Sequence, residues 1–262
     1  MGRKVHIPAR PMRIISVVPS QTELLADLGL SDQLIGITKF CIHPNYIYKN
    51  KERIGGTKSL NINKIKALKP DLIIGNKEEN AKADIVKLEQ DFPVWMSDIY
   101  TLEDAFYMME QLGIICQKQM DASKLIERIK LGFDAIRPLK EPVKCAYFIW
   151  KNPDMVAGNN TFINHILSKL GFSNVFEHLA YSRYPELSEE IIARANPQVV
   201  FLSSEPYPFK EKHIQAFAKY WPKANIILVD GELFSWYGSR LLHAPPYFSK
   251  LLNEIISTTA LN

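Results

Sequence analysis

The sequence predicts an α/β protein of two lobes joined by one long helix, and three observations predict it. Short apolar runs alternate with helical patterns through both halves of the chain, the order expected of parallel βαβ units. The first half's order of elements returns in the second: ALKPDLIIG (67–75) and RANPQVVFL (194–202) share a helix end, a polar residue, a proline, a polar residue and a buried strand. Between the halves, residues 118–137 hold the longest uninterrupted helical pattern, with Leu125, Ile129, Phe133 and Ile136 on one stripe and Lys124, Glu127, Arg128 and Lys130 around it. Pro138 and Pro142 stop that helix, which at 1.5 Å per residue makes a rod of roughly 30 Å. The division is therefore 1–117 for an N-terminal lobe, 118–140 for the linking helix and 141–262 for a C-terminal lobe.

Each element has its local reason. Residues 13–18 read as a strand and 21–28 as a helix, with Ser20 and Glu23 forming a capping box and Gly29 closing it. A strand at 34–38 leads into a Pro-, Asn- and Gly-rich loop over 43–59. A short helix at 62–68 breaks at Lys69 and Pro70, followed by an apolar strand at 71–75, a helix at 81–90 and a strand at 94–97. Thr101 and Asp104 cap a helix that runs to Leu112 and ends at Gly113. In the second half 143–150 is a strand, 161–170 a helix closed by Gly171, and 174–176 a short strand. Ser188, Glu189 and Glu190 open a helix to Ala195, Asn196-Pro197 breaks it, and 199–203 is a buried strand. A helix at 213–220, a strand at 226–229 and a helix at 247–256 complete the lobe. Both lobes are Rossmann-like, so ligand sites fall outside the carboxyl ends of the strands, and the strand-end loops are expected to face each other across a cleft.

Composition excludes several classes. A net charge of +4, from scattered Lys and Arg residues, gives no nucleic-acid footprint. Three cysteines, Cys41, Cys116 and Cys145, are far apart without CxxC spacing, and the six histidines lack HxxxH or HExxH, so no metal cage of several side chains is expected. Neither GxGxxG, GxxxxGK[ST] nor GxSxG occurs, which removes support for nucleotide-binding or hydrolase chemistry, and no catalytic residue is assigned. No stretch approaches the roughly 20 apolar residues that span a bilayer, and no secretion signal lies within the chain.

The most informative local segment is GELFSWYGSR (231–240), which gathers Phe234, Trp236, Tyr237 and Arg240 after a buried strand. Aromatic faces with one Arg suit a flat, largely apolar ligand with polar groups at its edge. An apolar cluster capping its lobe, with Arg240 paired to an acid, explains the same residues equally well. His43, in KFCIHPN, stands at a strand end where it can meet a ligand, although most loop histidines do not. Cys41 beside it reads as a buried thiol, Ser20 as an ordinary helix start, and Glu190 as a first-turn acid favoured by the helix dipole.

RPMRIISVVPSQTELLADLGL, IGG, ALKPDLIIG, the long helix, MVAGNNTFINHILSKLGFSNVF and the closing aromatic–Arg segment together resemble the helical-backbone solute-binding proteins of ABC importers, over essentially the whole chain from the MGRKVHIPARP opening. Members of that family bind cobalamin, haem or ferric siderophores, and the likeness leans toward the cobalamin binders. The resemblance implies that Phe40, His43, Thr57 and Asn76 face the ligand from the first lobe, and Trp150, Tyr184, Trp236, Tyr237 and Arg240 from the second. It implies a monomer that hands its small-molecule ligand to an importer permease through acids that fall here at Asn63 and Glu190, of which only Glu190 is acidic. Thr57 and Asn76 stand where cobalamin binders carry large aromatics.

The family implies a periplasmic or membrane-anchored extracytoplasmic location, with a leader upstream of Met1. A cytosolic corrinoid-handling carrier or enzyme, and an interaction domain with an empty cleft, are the alternatives from other classes. In the family the long helix is a strut, so lobe closure on binding is expected to be small. Gly132 is the strut's weakest point, at about 1 kcal/mol relative to Ala.

Overall fold

The computed structural model describes residues 4–7, 9–179 and 182–259 of the 262-residue chain, so Met1–Arg3 and Pro8 of the opening that contributes to the resemblance lie outside the described residues. Close packing divides the chain into two units, 1–130 with 236–241, and 131–235 with 242–262.

The first unit holds strands β1 (Ile14–Ser16), β2 (Leu34–Ile37), β3 (Glu52–Arg53), β4 (Gly55–Gly56), β5 (Ser59–Leu60), β6 (Leu72–Asn76) and β7 (Val94–Ser97). Its helices are α1 (Pro19–Asp27), α2 (Asn45–Asn50), α3 (Ile62–Leu68), α4 (Lys82–Leu88) and α5 (Leu102–Ile115). Five strands make a parallel sheet in the order β3-β2-β1-β6-β7, while β4 and β5 form a small antiparallel hairpin. The β6 strand is buried along its whole length, the reason its sequence is a continuous apolar run rather than an alternating one. Ile15, Val17, Ile54, Ile65, Ile73 and Leu88 are among the residues that fill one side of the core.

Helix α6 (Gln119–Asp134) carries the chain from the first unit to the second. The second unit holds β8 (Val143–Trp150), β9 (Met155–Val156), β10 (Phe172–Asn174), β11 (Val199–Ser203) and β12 (Asn225–Val229). Its helices are α7 (Phe162–Lys169), α8 (Glu189–Arg194), α9 (Glu211–Ala218), α10 (Gly231–Ser235) and α11 (Ala244–Thr259). The parallel order is β10-β8-β11-β12, with β9 antiparallel to β8. The two related motifs take equivalent places: β6 beside the unit's first strand β1, and β11 beside β8, each following a short helix. In both units the strand order reverses at that first strand, which puts the crevice expected to hold ligands at its carboxyl end.

Several boundaries differ from the sequence-based expectation, and the differences have physical reasons. Helix α1 starts at Pro19, whose ring suits the first helical turn, with Val18 as the N-cap; Ser20 lies inside the helix, so no capping box forms and Glu23 is left for another partner. The loop expected over 43–59 contains α2, β3 and the β4–β5 hairpin, whose elements of two to six residues are too short for periodicity to register. Helix α5 has the expected Thr101–Asp104 capping box but runs past Gly113 to Ile115. Gly113 there serves packing, since a Cβ on it would lie 2.7 Å from Cβ of Ala122 in α6. The strand expected at 174–176 is displaced to β10, and α11 is longer than expected.

Helix α6 spans 16 residues, or roughly 24 Å, rather than the 20 expected. Ala122, Leu125, Ile129 and Phe133 are buried on one stripe, and Phe133 meets Phe248 of α11 edge-on with ring centroids 6.3 Å apart. A Cβ on Gly132 would sit 2.9 Å from Cγ of Pro245, so this glycine lets the start of α11 lie against the helix. Propensity alone would favour Gly132→Ala by about 1 kcal/mol. Overpacking against a rigid ring costs about 1–3 kcal/mol. Chemical denaturation should therefore show Gly132→Ala to be less stable than wild type, and a rise in stability would contradict this contact.

Candidate functional site

The strand ends of the first unit rest on a buried layer of polar side chains. Asn80 lies one turn beyond β6 and its amide reaches three segments: Oδ1 accepts the Asn76 N–H at 2.9 Å, while Nδ2 donates to the carbonyls of Val17 at 3.0 Å and Thr57 at 3.2 Å. Gly75 makes room for it, because a Cβ there would be 2.7 Å from Asn80 Oδ1. Ser97 Oγ, at the end of β7, accepts from Gln21 Nε2 at 2.6 Å and Asn76 Nδ2 at 3.0 Å, and donates to the Gly75 carbonyl. A second knot joins Ser16, Thr22, Thr38 and Cys41 at 2.8–3.1 Å. Burial pushes the Cys41 thiol above its ordinary range, so it is held as a thiol.

Above this layer the loop after β2 turns outward. Phe40 is half exposed, with Lys39 Nζ 5.0 Å from its ring centroid. Its ring lies against the hairpin, where a Cβ on Gly56 would come within 3.2 Å of Phe40 Cε2, and Thr57 follows at the hairpin turn. His43, half-buried, meets the Trp236 ring edge-on at 5.7 Å. The guanidinium of Arg240 lies 5.1 Å from the other partner of this stack, the Trp236 ring centroid, and forms a bidentate pair with Glu23 of α1, Nε to Oε2 at 2.9 Å and Nη2 to Oε1 at 2.6 Å. Burial raises the Glu23 carboxyl above its ordinary range, while Arg240 pulls in the opposite direction.

The structure thus brings His43, Trp236 and Arg240 together and sets Phe40 against the Gly56–Thr57 hairpin, all within the first unit. That differs from the expected origin of Trp236, Tyr237 and Arg240 in the second lobe: the chain leaves the second unit after Ser235 and returns to it at Leu242. Gly238 permits the excursion, since it has φ +120° and a Cβ on it would press on the Ser20 carbonyl and Leu24. Trp236 and Tyr237 are buried and Arg240 is paired to an acid, so of the two readings open for this segment the capping cluster describes most of its surface.

Asn76 is removed from the ligand-facing set. It is 0% exposed, and its Oδ1 accepts the N–H groups of Glu78 and Glu79 while Nδ2 serves Ser97.

In the second unit Trp150, 39% exposed at the end of β8, meets Tyr207 edge-on at 5.8 Å. Tyr184 is half-buried in a segment whose Arg183 carbonyl accepts the Gly158 N–H at 2.8 Å. Glu190, on α8, is exposed and pairs with Arg194 at 2.6 Å; Asn63 on α3 is exposed as well. Glu23, Lys39, Gly56, Asn80 and Tyr207 escaped the sequence reading. Only Glu23 carried a signal, and it pointed to a cap. Among the described residues no group of three or more His, Cys, Asp or Glu side chains is arranged to hold a metal, and no helix is long and apolar enough to cross a membrane.

Two parallel-sheet units that each present aromatic groups beyond the carboxyl ends of their strands have the construction of a two-lobed α/β binding protein. The chain belongs to the periplasmic binding protein family, whose sequence profile matches residues 14–220. It is 27% identical over 242 residues to the vitamin B12-binding protein of Pectobacterium carotovorum, covering 90% of this chain and 86% of the relative. Among solved structures, it superposes with a TM-score of 0.76 on the periplasmic vitamin B12 binding protein BtuF of Vibrio cholerae, at 23% identity over 95% of this chain and 99% of that one. The periplasmic heme binding protein HutB of Vibrio cholerae gives the same TM-score, 0.76, at 22% identity over 92% and 98%. At these identities the structural likeness speaks for the fold.

Replacing Asn76 with Ala strands the Glu78 and Glu79 amides and one side of Ser97, which should cost about 1–3 kcal/mol in denaturant unfolding. A direct ligand contact would instead appear as lost affinity with stability intact.

Proposed function

We propose that this protein is a non-enzymatic, extracytoplasmic solute-binding component of an ABC importer and that its ligand is a cobalamin-like corrinoid. The observation that carries the reading is the strand-end surface of the first unit, where a half-exposed Phe40 ring rests against a glycine hairpin with Lys39 over it, in the same loop as His43. A corrin is a broad, mainly apolar plate with amide groups at its rim. An aromatic face supplies contact area at low conformational cost, and nearby cationic and imidazole groups supply edge contacts. The relationship to vitamin B12-binding proteins over most of the chain supports the same choice of ligand.

Phe40, His43 and Thr57 are the proposed ligand-facing residues of the first unit, with Trp236, Tyr237 and Arg240 beneath or beside them. Trp150 and Tyr184 are those proposed for the second. Glu190 is the proposed contact for the importer permease, an acid at the exposed start of a helix; the Arg194 beside it is solvated enough to exchange partners.

Isothermal titration with cyanocobalamin should give a saturable heat at micromolar ligand, lost or much weakened in Phe40→Ala. No heat with cyanocobalamin, together with a Soret band on mixing with haem, would move the assignment to haem and make His43 or Tyr184 the axial ligand to test.

A further inference from the structure

The chain from Glu23 to His43 is continuous: carboxylate to guanidinium at 2.6 and 2.9 Å, guanidinium to the Trp236 ring at 5.1 Å, and Trp236 to the His43 ring at 5.7 Å. Its first two members are nearly buried, with side chains 14% and 15% exposed, so neither is placed chiefly to meet solvent. The segment that carries Arg240 and Trp236 packs Ser239 and Leu241 inside, and the Glu23–Arg240 pair ties it to α1. It is six residues long, it belongs to the first unit while both flanks belong to the second, and it crosses α1 at a glycine.

Glu23 is also free for this role. It sits in the first turns of α1, yet the helix begins with Pro19 after a Val18 cap that makes no side-chain bond, so no capping duty claims the carboxylate. A buried carboxylate is costly unless paired, and a bidentate guanidinium is the partner that fixes position as well as charge.

We propose that Glu23 is the positioning residue of the ligand surface: by clamping Arg240 it seats the Trp236 ring, and through that ring it sets the orientation of His43. Glu23 itself does not touch the ligand. Arg240, whose Nε and Nη2 are engaged by Glu23, acts first as a clamp, and ligand specificity at its rim depends on the clamp being closed. This inference rests on the corrinoid reading only for its choice of probe.

The test combines two measurements on the full chain. Cyanocobalamin is titrated into wild type, Glu23→Gln and Glu23→Asp, and acrylamide quenching of Trp236 is obtained in each background by difference against Trp236→Phe. The expected result is an affinity loss of about tenfold or more in Glu23→Gln, the size that follows from unpairing a buried charge. Glu23→Asp, which keeps the charge and shortens the reach, should lie between the two. Trp236 should become easier to quench in the same order, with the folded fraction unchanged at the titration temperature. Affinity and shielding of Trp236 equal to wild type in folded Glu23→Gln would overturn the proposal, as would an affinity loss that merely tracks the unfolded fraction. If Glu23→Gln does not fold, Glu23→Asp decides by the same two readings. Should wild type not bind cyanocobalamin, the ligand assignment fails by itself, and the quenching comparison still decides whether Glu23 seats Trp236.

Discussion

Three chain segments of the first unit meet at one buried amide. Asn80 ties the end of β1 through the Val17 carbonyl, the hairpin turn through the Thr57 carbonyl and the end of β6 through the Asn76 N–H. Parallel strands that stop together leave polar backbone groups at a buried edge, where an unmade hydrogen bond is costly. Asn80, with Asn76, Ser97 and Gln21 beside it, satisfies much of that edge internally. The loops above are consequently held by specific bonds rather than by apolar packing alone. Phe40, lying on the hairpin that Asn80 anchors, is a half-exposed aromatic on a rigid base, a construction suited to binding.

The same economy of position governs the segment 236–241. It crosses α1 at Gly238, packs Ser239 and Leu241 inside, and is pinned by an ion pair that water hardly reaches. An exposed pair would contribute little, whereas this one, shielded and bidentate, fixes geometry. The second unit uses the same kind of polar tie, Asn174 at the end of β10 and Ser203 at the end of β11, and adds a ladder of edge-on rings formed by Trp150, Tyr207, Phe209 and His213.

The fold was legible because its signals are long. The buried strands 72–76 and 199–203 are continuous apolar runs after a proline, and a 16-residue amphipathic helix is hard to mistake. The proposed site was legible mainly by residue type: Phe40 and His43 were singled out because they stand at a strand end, where a ligand surface is expected. Asn76 was misjudged because sequence gives a residue's place at a strand end but not the direction of its side chain, and this one turns inward to Ser97 and the following amides. Glu23 was misjudged because serine followed three residues later by glutamate has the spacing of a cap; the decisive facts, Pro19 at the helix start and Arg240 more than 200 residues away, are a local steric effect and a tertiary contact. Gly132 was read as a weak point in a helix, whereas its use lies in the partner it admits, Pro245.

The central claim is that a ligand sits on the strand-end surface of the first unit, over the frame anchored by Asn80 and Glu23. Amide hydrogen exchange with and without saturating cyanocobalamin tests it most directly, because exchange reports local opening segment by segment. Slowed exchange concentrated in residues 39–43, the hairpin turn at 57–58 and 236–241 is the predicted result. Saturable binding with exchange in all three segments unchanged would contradict the account.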